Sequence, residues 1–200
     1  MGKYKVRTIS SGNFDRECAR LESQVRAGGY TPDCVIGIES GGRYVAERMF
    51  MDVPHLYTRL QRDSTGFKSG HRGEVLKGIF RFVPRFCLNR MRKIEAKRLS
   101  ESHHALLSDS EKLLALFESK CREIRLPDLG DYRRILIVDD AVDSGMTMVA
   151  VLKRVRDMCG QGCDVRTAVV TVTEDSPLTS PDYTLYNNKT LIRFPWSLDS

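Results

Sequence analysis

No run in this 200-residue chain approaches the roughly 18–20 consecutive apolar residues that cross a bilayer, so no membrane span is expected. The basic start, Lys3, Lys5 and Arg7, has no apolar stretch behind it, so neither a signal peptide nor an anchor is expected, and the cytoplasm is the expected location. Six cysteines, Cys18, Cys34, Cys87, Cys121, Cys159 and Cys163, are scattered along the chain, which fits reduced thiols better than a disulfide framework. The closest pair, Cys159 and Cys163, has no second pair and no histidine nearby, so a zinc site lacks ligands. His55, His71, His103 and His104 form no metal-binding pair at helical spacing either. Internal sequence repeats and low-complexity tracts are also absent.

What is present is a globular balance, 41% hydrophobic and 29% charged residues, at a length that suits one domain, residues 1–200, carrying an insert. The net charge of +6 is unevenly spread. Residues 59–98 hold twelve Lys or Arg against Asp63, Glu74 and Glu95, a surplus of nine, and the rest of the chain sums to −3. Such a block suits an anionic partner, whether nucleotide phosphate, nucleic acid or an acidic protein surface, or else forms a solvated helix face.

Phe14, Cys18, Leu21 and Val25 share one face of a helix over residues 14–27, with Asn13 as its cap and Gly28-Gly29 as its end. Residues 33–38 are almost uninterruptedly apolar, as in a strand buried on both faces of a parallel sheet. They lead into Glu39-Ser40-Gly41-Gly42 and a helix over 43–51, and a strand over 55–60 follows Pro54. Residues 61–74, rich in Gly, Ser, Lys and Arg, lack an apolar period and read as a mobile loop, after which 75–83 resume the sheet. Helices over 86–107 and 110–124 make up the insert, 84–126, the second with an apolar stripe of Leu113, Leu114, Leu116, Phe117 and Cys121. Residues 133–138 are the strongest strand and end at Asp139-Asp140; a helix over 146–158 closes at Gly160, and a strand over 165–172 follows. Strand, turn, helix, strand occurs twice in this order, so the fold class is α/β with a mainly parallel sheet.

In open α/β sheets the ligand lies beyond the carboxyl ends of the strands. After Val138 come Asp139-Asp140-Ala141-Val142-Asp143-Ser144-Gly145-Met146-Thr147, two carboxylates followed by a glycine turn with hydroxyl residues on either side at a helix start. N–H groups and hydroxyls at a helix N-terminus cradle a phosphate. The carboxylates would repel that phosphate and suit instead a ribose diol and a divalent cation such as magnesium. A phosphate at one end and a vicinal diol in the middle describe a ribose 5-phosphate. The plainer reading, a strand end and a helix cap in a receiver-like or dehalogenase-like domain, would want further acids at other strand tips and a downstream Lys or Thr that cannot be placed here.

The nine-residue arrangement resembles the phosphoribosyl pyrophosphate motif of type I phosphoribosyltransferases, with Ser144 where Thr is commoner. Residues 35–42 resemble the family's pyrophosphate loop, in which Ser40 stands where the purine branch often has a basic residue and Gly41 and Gly42 let backbone amides approach the leaving group. Residues 61–74 occupy the position of the family's flexible active-site loop. The resemblance implies that a base nitrogen displaces pyrophosphate from the anomeric carbon of phosphoribosyl pyrophosphate, with inversion, an oxocarbenium-like transition state and magnesium neutralising the departing group. It further implies that Asp139 and Asp140 hold the ribose hydroxyls and the metal, and that Ser144, Gly145, Met146 and Thr147 cradle the 5-phosphate. Asp143 is then a general base toward a purine nitrogen, or only a helix cap.

Ser180-Pro181-Asp182-Tyr183 and Leu191-Ile192-Arg193-Phe194-Pro195-Trp196 are similar to the C-terminal hood, here residues 174–200, of the xanthine–guanine and hypoxanthine group, which makes Leu191 and Ile192 candidate base contacts. Trp196 is a ligand contact or a core residue. Three positions depart from that group: Leu191 replaces a stacking aromatic, Ser197 replaces an acid, and no Lys lies between Thr171 and Thr179 to donate to a purine 6-oxo group. The missing donor argues against an ordinary 6-oxopurine salvage enzyme. The expected function is therefore a magnesium-dependent phosphoribosyltransferase for a purine-like or otherwise specialised heterocycle, working as a homo-oligomer. The alternative is a regulatory or effector protein that senses phosphoribosyl pyrophosphate and uses its basic region, 59–98, to bind nucleic acid or a protein partner. The basic first helix of the insert has Met91 and Ile94 among its charges but no aromatic interleaving beyond Phe80, Phe82 and Phe86.

Overall fold

A computed structural model describes residues 4–60, 84–160 and 162–197. In chain order its elements are β1 (Lys5–Thr8), α1 (Ser11–Ala27), β2 (Cys34–Ile38), α2 (Gly41–Ala46), β3 (His55–Leu60), α3 (Arg85–Leu107), α4 (Ser110–Glu123), β4 (Ile124–Arg125), β5 (Arg134–Val142), α5 (Met146–Cys159), β6 (Asp164–Val172), β7 (Tyr183–Tyr186) and β8 (Thr190–Arg193). The main sheet runs β4-β3-β2-β5-β6-β7, parallel throughout except where β4 meets β3. The loop expected over 61–74 and the strand expected over 75–83 lie outside the described residues.

The central strand explains the apolar runs. Along β5, Ile135 and Ile137 face one side and join α5 through Met148, Val151 and Val155, while Leu136 and Val138 face the other and join α1 through Phe14, Cys18, Leu21 and Val25. A strand covered on both faces has no polar side to show, so its alternation disappears from the sequence. All six cysteines are free, and burial pushes the thiols of Cys18 and Cys34 up to about 12. Among the described residues no helix is long and apolar enough to cross a membrane.

Several boundaries differ from expectation. Helix α1 starts after Ser10 rather than at Asn13, and the Ser10 side chain makes no capping bond. Helix α2 starts at Gly41 and stops at Ala46, because the chain then turns to put Met49 and Phe50 in the core; Phe50 takes a φ of 48° and its N–H donates to Glu22 Oε2 at 2.8 Å. The apolar stripe of α4 is narrower than its sequence suggests: the helix packs on α5 rather than directly on the sheet, Phe117 and Cys121 reach the core, and Leu114 stays 58% exposed.

A second, two-stranded sheet pairs β1 with β8 in parallel, from Lys5 beside Thr190 to Thr8 beside Arg193. Arg193, only 2% exposed, ties this sheet to α3 by donating to Thr8 Oγ1 at 3.1 Å and Asn89 Oδ1 at 2.9 Å.

Candidate functional site

Strand β5 does not stop at Val138. Its pairing with β6 continues through Asp139 beside Val169 and Ala141 beside Thr171, so the two acids are part of the strand and not of the loop after it. Beyond Val142 the chain turns through Asp143, Ser144 and Gly145 into α5. Ser144 Oγ accepts the Met146 N–H at 3.3 Å, and its carbonyl accepts the Leu178 N–H at 2.8 Å. Gly145 has a φ of 81°, and a Cβ there would lie 3.1 Å from Thr179 N and 3.2 Å from Leu178 N, so glycine is required twice over. Asp143 is exposed, and the Thr173 hydroxyl donates to its Oδ1.

The glycine pair at the start of α2 lies against the acids. A Cβ on Gly41 would collide with the Asp140 carboxylate, and one on Gly42 would lie 2.5 Å from the Val138 carbonyl oxygen and 3.0 Å from Asp139 Oδ1. The glycines therefore make room for the acid pair, a packing role absent from the sequence reading. Ser40, just before them, is exposed, and its peptide bond with Glu39 is cis.

Adjacent carboxylates in dense protein resist ionisation. Burial holds Asp139 well above the usual carboxylate range, and the charge of Asp140 adds to the effect. Burial raises Asp140 too, opposed by hydrogen bonds from Asp139, the backbone and Trp196. Hard oxygen donors crowded in this way fit a divalent cation or the hydroxyls of a diol, either of which relieves the repulsion. No group of three or more metal-ligating side chains occurs among the described residues, so a cation here would complete its shell with substrate oxygens or water.

A cavity of about 570 Å³ opens over Asp140, Asp143 and Ser144 and reaches Leu191, Ile192, Phe194 and Trp196 on the hood side. It brings together five of the predicted residues: Asp140, Asp143, Ser144, Leu191 and Ile192. Asp139, Gly41 and Gly42 lie behind this wall, while Gly145 and Met146 are buried at the start of α5 and Thr147 is half-buried there. Leu191 and Ile192 are themselves buried in β8, so they offer little surface as base contacts. Trp196 is stacked between Tyr44, 4.5 Å away, and Phe194, 4.9 Å away, with the Phe14 ring edge-on at 4.9 Å.

The opposite wall is α3, which the sequence reading treated as an insert apart from the site. Arg92, Ala96, Ser100 and His103 line the cavity at helical spacing. Arg92 Nη1 donates to the Ile192 carbonyl at 3.1 Å, the Tyr4 hydroxyl to Ala96 O at 3.3 Å, and His103 Nε2 meets Ser176 O at 3.1 Å. Leu99 and Leu106 share this wall, but residues that are small or polar interrupt them, so no continuous apolar period marks it. Glu174 was also missed. It is only 8% exposed, lines the same cavity, and lies in the segment without a lysine.

A doubly covered parallel sheet, a strand-tip acid pair and a glycine turn opening a helix define an enzyme of the type I phosphoribosyltransferase class, in which a phosphoribosyl group passes from phosphoribosyl pyrophosphate to a base. The chain belongs to the phosphoribosyl transferase domain family, whose model matches residues 9–199. Among solved structures, a purine phosphoribosyltransferase from Pyrococcus horikoshii Ot3 is similar at 18% identity and a TM-score of 0.56, over 96% of this chain and 93% of that one. The xanthine-guanine-hypoxanthine phosphoribosyltransferase of Helicobacter pylori is similar at 15% identity and a TM-score of 0.55, over 98% and 95%. A Neisseria gonorrhoeae protein with bound ppGpp is similar at 18% identity and a TM-score of 0.50, over 98% and 90%. No curated protein sequence matches the chain.

Proposed function

We propose that this chain joins a phosphoribosyl group to a ring nitrogen of a purine-like or otherwise specialised heterocycle in the cytoplasm, with magnesium, and that residues 1–200 act as one domain in a homo-oligomer. The observation that carries the reading is the convergence of Asp140, Asp143 and Ser144 on one cavity, with the glycine pair packed against the acids from behind. In this reading Asp139 and Asp140 hold the ribose hydroxyls and the magnesium ion, which when bound neutralises charge on the departing pyrophosphate. Ser144, Gly145, Met146 and Thr147 receive the 5-phosphate on backbone N–H groups at the N-terminus of α5, a 14-residue helix. Ser40, Gly41 and Gly42 face the pyrophosphate. As the bond from the anomeric carbon to pyrophosphate breaks and the bond to nitrogen forms, Asp143 takes the nitrogen's proton on the carboxylate that Thr173 orients. The hood, 174–200, and the α3 wall of the 84–126 insert enclose the base.

The test is pyrophosphate release from phosphoribosyl pyrophosphate and magnesium across a panel of bases. Release that depends on a base, and that is lost in Asp143→Asn and in Asp139→Ala/Asp140→Ala, supports the reading; no release with any base refutes it.

One observation favours an additional use. Arg90, Lys93, Lys97 and Arg98 are exposed on the outer side of α3, opposite the cavity, and suit an anionic partner such as nucleic acid. Binding to RNA or DNA that weakens steeply with salt would support this; salt-independent or absent binding would leave the face as solvated surface.

A further inference from the structure

We infer that the acceptor base presents hydrogen-bond donors, as an amino-substituted heterocycle does, and that Glu174 and His103 read it; the inference rests on the transfer reading above. His103 Nε2 lies 3.1 Å from the Ser176 carbonyl oxygen. A carbonyl only accepts, so Nε2 carries the hydrogen, and in the neutral ring Nδ1 is then a bare acceptor. His103 lines the cavity at 5% exposure, and its Nδ1 has no hydrogen-bond partner among the described residues. An acceptor buried without a donor is costly and rare in native proteins, so something in the cavity is needed to donate to it.

Glu174 adds a carboxylate to the same wall. Its Oε1 accepts the Asp175 N–H at 3.0 Å and lies 3.9 Å from His104 Nε2. The nearby Lys189 pairs directly with Asp175, Nζ at 2.7 Å, and acts on Glu174 only as the weaker charge interaction. Among the described residues that line the cavity, the carboxylates of Glu95, Asp140, Asp143 and Glu174 face one guanidinium, that of Arg92, which donates to the Ile192 carbonyl. A base presenting a carbonyl here would bring an acceptor to acceptors, whereas an exocyclic amino group would satisfy His103 Nδ1 or Glu174. Leu99 and Leu106 of α3 offer apolar surface in the same cavity for a flat ring. Two groups that the metal- and phosphate-binding half of the site leaves unused thus set the polarity of its other half.

The experiment uses the full chain with phosphoribosyl pyrophosphate and magnesium, comparing pyrophosphate release with adenine and 2,6-diaminopurine against hypoxanthine and xanthine. The expected kcat/KM is at least about 100-fold higher for the amino bases, because sites built around hydrogen bonds discriminate strongly. Glu174→Gln should lower it about tenfold for the amino bases and narrow the gap between the classes. Preference for the oxo bases overturns the inference and leaves the transfer reading standing; release with no base overturns the transfer reading itself. An unchanged preference in a Glu174→Gln variant that melts like the wild type also overturns the role of Glu174. Should that variant not fold, the wild-type panel still decides.

Discussion

Replacing Gly42 and Gly41 one at a time separates the stability of the acid pair's surroundings from their use. A Cβ on Gly42 would sit 2.5 Å from the Val138 carbonyl oxygen and 2.9 Å from Asp139 Cα. Both are backbone atoms of β5, whose neighbours β2 and β6 are paired to it on either side, so neither can yield without moving the sheet. Overpacking of this kind costs about 1–3 kcal/mol. In a chain of this length each kcal/mol lowers Tm by about 2–4 °C, so Gly42→Ala should melt several degrees below the wild type. A Cβ on Gly41 meets instead the Asp140 carboxylate, the end of a side chain that can swing aside. Gly41→Ala should therefore melt near the wild type but bind phosphoribosyl pyrophosphate and magnesium more weakly, because the displaced acid no longer faces the cavity. Gly12→Ala in α1 is the control: nothing lies within 4 Å, and alanine in a helix gains about 0.5–1 kcal/mol over glycine, so its Tm should rise. Scanning calorimetry of the three variants, with and without phosphoribosyl pyrophosphate and magnesium, checks all of this. If Gly42→Ala melts with the wild type, or Gly41→Ala keeps full affinity, the glycines are not there to admit the acids.

Asp139 is held above the usual carboxylate range by burial and by the Asp140 charge, so the folded chain holds its proton more tightly than the unfolded one. The stability this gives is fully present below the unfolded pKa, about 3.9, and is lost as pH rises through the folded value. Asp139→Asn should therefore raise the ligand-free Tm at pH 8, with a gain that shrinks toward pH 4; a lower Tm at pH 8 would refute the argument. Asp143→Asn should reduce kcat by about 100- to 10,000-fold while changing affinity for phosphoribosyl pyrophosphate far less, and equal losses in both would assign the residue to binding alone. Cys18 and Cys34, buried and with thiols near pKa 12, should stay unmodified by iodoacetamide at pH 8 until the chain is denatured, as read by mass spectrometry.

What the sequence made legible and what it hid divide along a physical line. The acid pair and the phosphate turn are nine consecutive residues whose chemistry is local, and β5 announces itself because both its faces are buried. The hood is assembled from distant pieces. Strand β1 is largely exposed and carries no apolar period, yet it is placed beside β8 by pairings such as Lys5 with Thr190, 185 residues apart. Arg193, nearly fully buried, reads in sequence as one more surface charge. The inward face of α3 was invisible for a related reason: Arg92, Ala96, Ser100 and His103 interrupt Leu99 and Leu106 there, and a face turned to a cavity rather than a core does not need to be apolar throughout. Periodicity reports what packs against protein, and says little about what packs against a ligand. This is why the local half of the site was enough to name the class of chemistry, while the long-range half, built from residues far apart in the chain, has no consecutive motif and shows itself only in the fold, as in His103 Nδ1, which has no hydrogen-bond partner among the described residues.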